Sequence, residues 1–232
     1  MRKSWWKILS VLLLAYTFTG GLLLPVPEKF ILNETIRNIF FHVPMWFGMI
    51  ILFTISLVFS VRYLRSSNLR DDIISIQFIN VGLLYGALGL VTGMEWGQFT
   101  WGSAWSNDPK QLASAICMLI YFAALALRGS IPDYDKRAKI AAVYNVFSFA
   151  LMIPLLFILP RLTDSLHPGN GGNPGFNTKD MAPELRPTFY MGVLGWALLG
   201  TWIATLQIRL GFIEKKHLLN EDISENFDLD KK

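Results

Sequence analysis

Six stretches of this chain run for 16 to 22 residues with no Asp, Glu, Lys, Arg or His in their interiors. They are Trp5–Leu24, Val43–Val61, Ile73–Gly93, Leu112–Leu127, Ile140–Leu159 and Phe189–Leu210, with Lys7 and Arg209 close to block ends. About 20 apolar residues in a helix cross the hydrocarbon core of a bilayer. No water is available there to satisfy the backbone, so each block must be helical. The expectation is an all-α integral membrane helical bundle of six transmembrane helices. The fourth block is short and should extend at both ends. Only 16% of the residues are charged, against about a quarter in soluble domains.

Arg2, Lys3 and Lys7 precede the first block, as they would in a signal peptide. That block is about 20 residues long and has no small-x-small cleavage site, so it reads as a retained span. With the N-terminus inside, 15 of the 21 Lys and Arg residues fall on inner segments. The positive-inside rule then places both termini in the cytoplasm. This clustering in short loops makes orientation, not nucleic acid, the meaning of the positive balance. The chain divides into a six-span membrane domain, residues 1–211, and a polar cytoplasmic tail, residues 212–232. Inner connections (Arg62–Asp72, Arg128–Lys139) read as plain linkers. Outer connections (Pro25–His42, Met94–Gln111, Arg161–Thr188) are longer, and the last holds the turn-rich stretch Gly169–Gly175, expected to be mobile.

The reactive residues collect on the outer side. His42 starts the second span and His167 lies in the third outer loop, while His217 is in the tail. Taken singly, an interfacial histidine is most simply a hydrogen-bonding residue. Two on one side, flanking an aromatic segment, match the needs of haem: imidazole ligates its iron and aromatic faces pack on the macrocycle. The segment Glu95–Lys110 carries Trp96, Trp101 and Trp105 with Gly97 and Gly102 between them. An aromatic belt also concentrates Trp, so composition alone shows a hydrophobic external platform. Trp101 and Trp105, four apart, would share one face of a helix. Asp108-Pro109 fits a helix N-cap followed by Pro at the first helical position.

The single Cys117 lies inside a block and reads as a small core residue. There is no Cys-x-x-Cys-His for covalent haem attachment and no Walker A pattern, so an ATP-driven step would belong to a partner. No Cys-His or Ser-His pair is placed for nucleophilic catalysis. The spans hold only neutral polar residues such as Asn80, Asn145 and Gln207, which argues against an ion-coupled carrier.

The stretch Trp101-Gly-Ser-Ala-Trp105-Ser-Asn-Asp108 resembles the Trp-Gly-x-x-Trp-x-Trp-Asp signature of the haem-handling protein family of cytochrome c maturation. Arg37-Asn-Ile-Phe-Phe-His42-Val-Pro-Met-Trp46 and Ser165-Leu-His167-Pro resemble the two histidine regions of its haem exporter protein C (CcmC) branch. The likeness spans nearly the whole chain, with Asn107 where the signature has its third Trp. The resemblance implies a binding and delivery component in a bacterial inner membrane, with its active loops on the periplasmic side. It implies haem b, held transiently and non-covalently, with His42 and His167 as axial ligands and Trp96, Trp101 and Trp105 as its platform. Propionate partners would be Arg37, Arg161 or Arg186; Asp108 is the motif acid. Implied partners are a periplasmic haem chaperone, ABC-type transporter subunits and a small single-span accessory subunit. A cytochrome c haem lyase or synthase is the alternative, disfavoured because those relatives are larger and have more histidines.

Overall fold

The computed structural model describes residues 4–28, 30–167 and 181–220. The Gly169–Gly175 stretch and residues 221–232 therefore lie outside the described residues. Among the described residues the chain is all-helical, with six helices long and apolar enough to cross a membrane. They are α1 (Trp5–Leu23), α2 (His42–Ser66), α3 (Leu69–Trp101), α4 (Pro109–Ser130), α5 (Tyr134–Ile153) and α6 (Arg186–Glu214). A 3-10 segment, Asn33–Phe40, leads into α2.

Burial follows from the solvent. Leu, Ile, Val and Phe side chains are left outside on every helix, for example Leu12, Val91, Leu119, Phe147 and Leu194, as lipid is no less apolar than the interior. The core holds what lipid does not sort: Tyr85, Tyr121, Met49, Met118 and Met152, with Phe53 stacked on Tyr121 at 3.8 Å between centroids. α3 is the central helix, running beside α2 and touching α4, α5 and α6, while α1 lies against α6. Several polar side chains within the spans are paired with one another. Asn145 donates to the hydroxyls of Ser56 (3.0 Å) and Ser60 (2.8 Å), joining α5 to α2, and Ser75 of α3 donates to the Ser56 carbonyl.

Three expectations change. First, the aromatic segment is half helix. Nothing breaks α3 after Gly93, and it continues through Trp101 to stop at Gly102, whose φ of 75° suits only glycine. Trp101 and Trp105 thus do not share a helix face. Second, Pro154 interrupts the fifth span. The helix gives way to a π-turn over Pro154–Ile158, since proline has no N–H to donate and crowds the preceding turn. Third, the inner connections are not plain linkers. α2 and α3 run on until only Ser67 and Asn68 separate them. Arg128 of α4 forms a bidentate pair with Asp72 of α3, both contacts 2.7 Å and both side chains buried. Tyr134 donates to Asp72 at 3.0 Å, and Lys215 donates to Tyr134 at 3.2 Å.

α4 extends beyond its block at both ends, and Asp108 caps it through the Lys110 N–H at 2.9 Å, with Pro109 first in the helix. α6 runs three residues past Gly211, and Phe212, Leu218 and Leu219 pack against Tyr63, Leu69 and Ile73.

Candidate haem-binding site

One cavity of about 930 Å³ opens at the end of the bundle where α2, α4 and α6 begin and α3 ends. It is lined mainly by apolar side chains and reaches Ile50 on α2 and Leu90 on α3. Ile50 lies eight residues beyond His42, roughly 12 Å deeper along the helix. His42 and His167 both line this cavity, as do Trp46, Trp96, Trp101, Lys110 and Arg186.

His42 is fixed by α3. Its Nδ1 lies 3.1 Å from the Thr92 hydroxyl. That hydroxyl already donates to the Leu88 carbonyl at 2.7 Å, so it accepts from His42, and Nδ1 carries the proton. Nε2 then keeps its lone pair. The 3-10 segment is held at the same level, where Asn38 donates to the Thr92 carbonyl at 3.0 Å. Glycines on α3 make room for the rings: a Cβ at Gly93 would stand 2.6 Å from His42, and one at Gly89 would stand 2.8 Å from Trp46. Trp46 and Trp96 meet His42 edge-on, at 6.2 and 5.9 Å between centroids. Trp96 is itself anchored by donating to the Thr35 hydroxyl at 3.1 Å.

His167 is fixed by Asp108. Its Nδ1 donates to Oδ1 at 2.8 Å, while Oδ2 accepts from the Leu166 N–H (2.6 Å) and the Ser165 hydroxyl (2.9 Å). Here too Nε2 is the nitrogen left over. Burial alone pushes the Asp108 carboxyl up. The hydrogen bond and charge of His167, with the Leu166 and Ser165 donors, outweigh it and hold this group well below the usual carboxylate range. Trp101 meets the His167 ring at 4.9 Å. Gln111 staples the intervening turn, donating to the Ala104 carbonyl at 2.7 Å and accepting from the Ser106 N–H at 3.0 Å.

The remaining predicted residues lie elsewhere. Arg37 donates to the Gly21 and Leu24 carbonyls (3.0 and 2.8 Å) and pairs with Glu34. It closes the C-terminal end of α1, where a cation suits the exposed carbonyls, and does not line the cavity. Arg161 turns back to the Phe157 carbonyl and is likewise off the cavity. Trp105 also lies outside the lining, donating to the Asn107 side-chain oxygen at 2.8 Å. Asn107 has φ 57°, a left-handed conformation that Asn tolerates and an aromatic side chain resists. Trp46 and Lys110 were missed by residue-type reasoning. Trp46 is one turn from His42 on the same face, a spacing that points to it. Lys110 stands at the α4 start beside its capping acid.

Chemically, the cavity offers two imidazole lone pairs and apolar walls, with two cationic side chains among its lining residues. Among the described residues no three His, Cys, Asp or Glu side chains cluster, so this donor set is poor for a bare ion. It suits a metal that brings its own equatorial ligands and needs two axial ones.

A family model described as Heme exporter protein C matches residues 2–222. Over 185 residues the chain is 27% identical to the Heme exporter protein C of Paracoccus denitrificans, covering 79% of this chain and 75% of that one. The protein of that name from Haemophilus influenzae is 22% identical over 214 residues, covering 89% and 83%. A Synechococcus protein named Cytochrome c biogenesis protein CcsA is 37% identical over 86 residues, which is 37% of this chain and 28% of that one.

Proposed function

The chain belongs to the Heme exporter protein C family of cytochrome c biogenesis membrane proteins, and from this premise we propose that it holds haem in the cavity and delivers it onward. The carrying observation is that the cavity receives two imidazoles whose Nδ1 protons are already committed, to Thr92 and to Asp108. Such outer partners set the tautomer and raise ligand basicity. His42 and His167 are the axial ligands in this reading, and the cargo is haem b, bound transiently and non-covalently.

Trp46, Trp96 and Trp101 brace the ligand rings and supply the aromatic wall. Lys110 and Arg186 meet the propionates as charge partners; an arginine does so with two parallel donors. Apolar walls exclude water and favour the porphyrin over a small hydrated ligand.

The excess of basic residues at the opposite end supports a cytoplasmic position for that end, and we read the chain as a bacterial inner-membrane protein with its cavity on the periplasmic face. The recipient is then a periplasmic haem chaperone. ABC-type transporter subunits and a small single-span accessory subunit complete the assembly, and nucleic acid has no part in it. We read the chain as a delivery component and not an enzyme.

The test is the absorption spectrum of the purified protein loaded with haem. A low-spin, six-coordinate spectrum is expected, and His42→Ala or His167→Ala should each convert or abolish it. Spectra unchanged in both variants would sink the ligand assignment.

A further inference from the structure

The exposed residues of α3 between Ile73 and Trp101 form a single stripe. They are Asn80, Leu84, Leu88, Val91 and Glu95, continued by Gln98 and Phe99. Spacings of three and four keep them on one face of the helix, and none of them lines the cavity. A face that meets only lipid needs nothing but apolar side chains. Asn80 departs from that rule. It stands seven residues from Ile73, roughly 10 Å inside the apolar segment, where an amide must find partners within protein. It gives one N–H to the Gln77 side chain at 3.2 Å, and its carbonyl oxygen points to no further bond among the described residues.

A second amide lies on the neighbouring helix. The side-chain oxygen of Gln207 on α6 is buried without a hydrogen-bond partner among the described residues. It is one turn from Gly211, which lies against Gln77 closely enough that a Cβ there would be 3.5 Å from the Gln77 side-chain nitrogen. Gln77 and Asn80 thus place paired amides on α3, next to the α6 segment that carries Gln207. Glu95, 15 residues from Asn80 and roughly 22 Å along the helix, lies towards the cavity's end of the bundle, with only Gln98 and Phe99 beyond it in the stripe.

We propose that this stripe is the seam for a transmembrane helix of a different membrane protein. That helix carries Ser, Thr, Asn or Gln at the depth of Asn80 and Lys or Arg at the level of Glu95. A second copy of this chain is the poorer occupant. Two copies inserted in the same sense would set Glu95 against Glu95 at one height, whereas a cation on another chain complements it. Interhelical hydrogen bonds of this kind are a recognised source of association in bilayers, where apolar burial contributes little.

The seam rests on the reading of this chain as part of a membrane assembly and not on the haem ligands, so the two can fail separately. The experiment places a photo-crosslinking benzoylphenylalanine at Leu84 of the full chain in native membranes, with Leu119 on α4, exposed on another face, as the control. The expected result is a Leu84 adduct, absent at Leu119. Peptide mapping should place it in a transmembrane segment of another protein with a hydrogen-bonding residue at the Asn80 level. Asn80→Leu, checked for parent-like thermal unfolding, should cut its yield about three- to tenfold, the range expected for losing one such bond. Adducts with lipid only, with a second copy, or of unchanged yield in Asn80→Leu would overturn the proposal.

Discussion

The Asp108 carboxylate accepts from the Lys110 N–H that starts α4 and from the His167 ring that enters the cavity. Asn caps helices as well as Asp does but lacks the charge that holds an imidazole Nδ1–H. Asp108→Asn should therefore unfold close to the parent temperature yet bind haem about 10–100-fold more weakly, the usual cost of losing a partner behind a metal ligand. Asp108→Ala should add about 1 kcal/mol of lost capping. Haem titration with thermal unfolding separates the two effects, and parent-like affinity in the Asn variant would remove the positioning role. The pH dependence has a definite sign. A carboxyl held low in the folded state contributes above its unfolded value of about 4, and that contribution is lost as pH falls through the lower folded one. The unfolding temperatures of the parent and the Asn variant should hence differ most above about pH 5 and converge below it. The Asp108-Pro109 cap was legible in the sequence because capping is local. The bond to His167, 59 positions away, was not, since no local rule reports it.

At the scale of elements, the six helices could be read directly because hydrocarbon excludes charge from long runs. Their ends could not, because helix continuation past Gly93 depends on packing against the 3-10 segment and α2 and not on apolarity. Reading Met94–Gln111 as an outer connection therefore leaves Trp96 and Trp101 in a loop, although α3 carries both. Glycine spacing on α3 offers the sharpest test. Gly93→Ala should favour an isolated helix by about 1 kcal/mol. In the bundle its methyl would meet the His42 ring at 2.6 Å, so the low-spin haem spectrum should be lost or shifted. Gly129→Ala on α4, where a Cβ meets nothing within 4 Å, should leave the spectrum as it is. Equal spectra in the two variants would mean that close helix approach does not position His42.

Across the whole molecule, the two ends are held by different means. Opposite the cavity, Asp72, Arg128, Tyr134 and Lys215 tie α3, α4, α5 and the end of α6 into one network around the buried Asp72–Arg128 pair. Asp72→Leu strands the Arg128 guanidinium and should cost about 3–5 kcal/mol, seen as a lowered unfolding temperature in detergent. Asp72→Leu with Arg128→Leu should recover most of the loss, as apolar replacements of buried pairs often do; a double variant as unstable as the single one would refute this account. At the cavity end the support is uneven. His42 begins a spanning helix and is wedged against α3, while His167 hangs on a connecting segment through one carboxylate. On the proposed function, a cargo gripped by two such bonds would leave in sequence, in the order in which the anchors yield. The bond to His167, the more exposed of the two rings, would then be the one a recipient reaches and opens while His42 retains the cargo, and transfer would never pass through a moment when neither protein has hold of it.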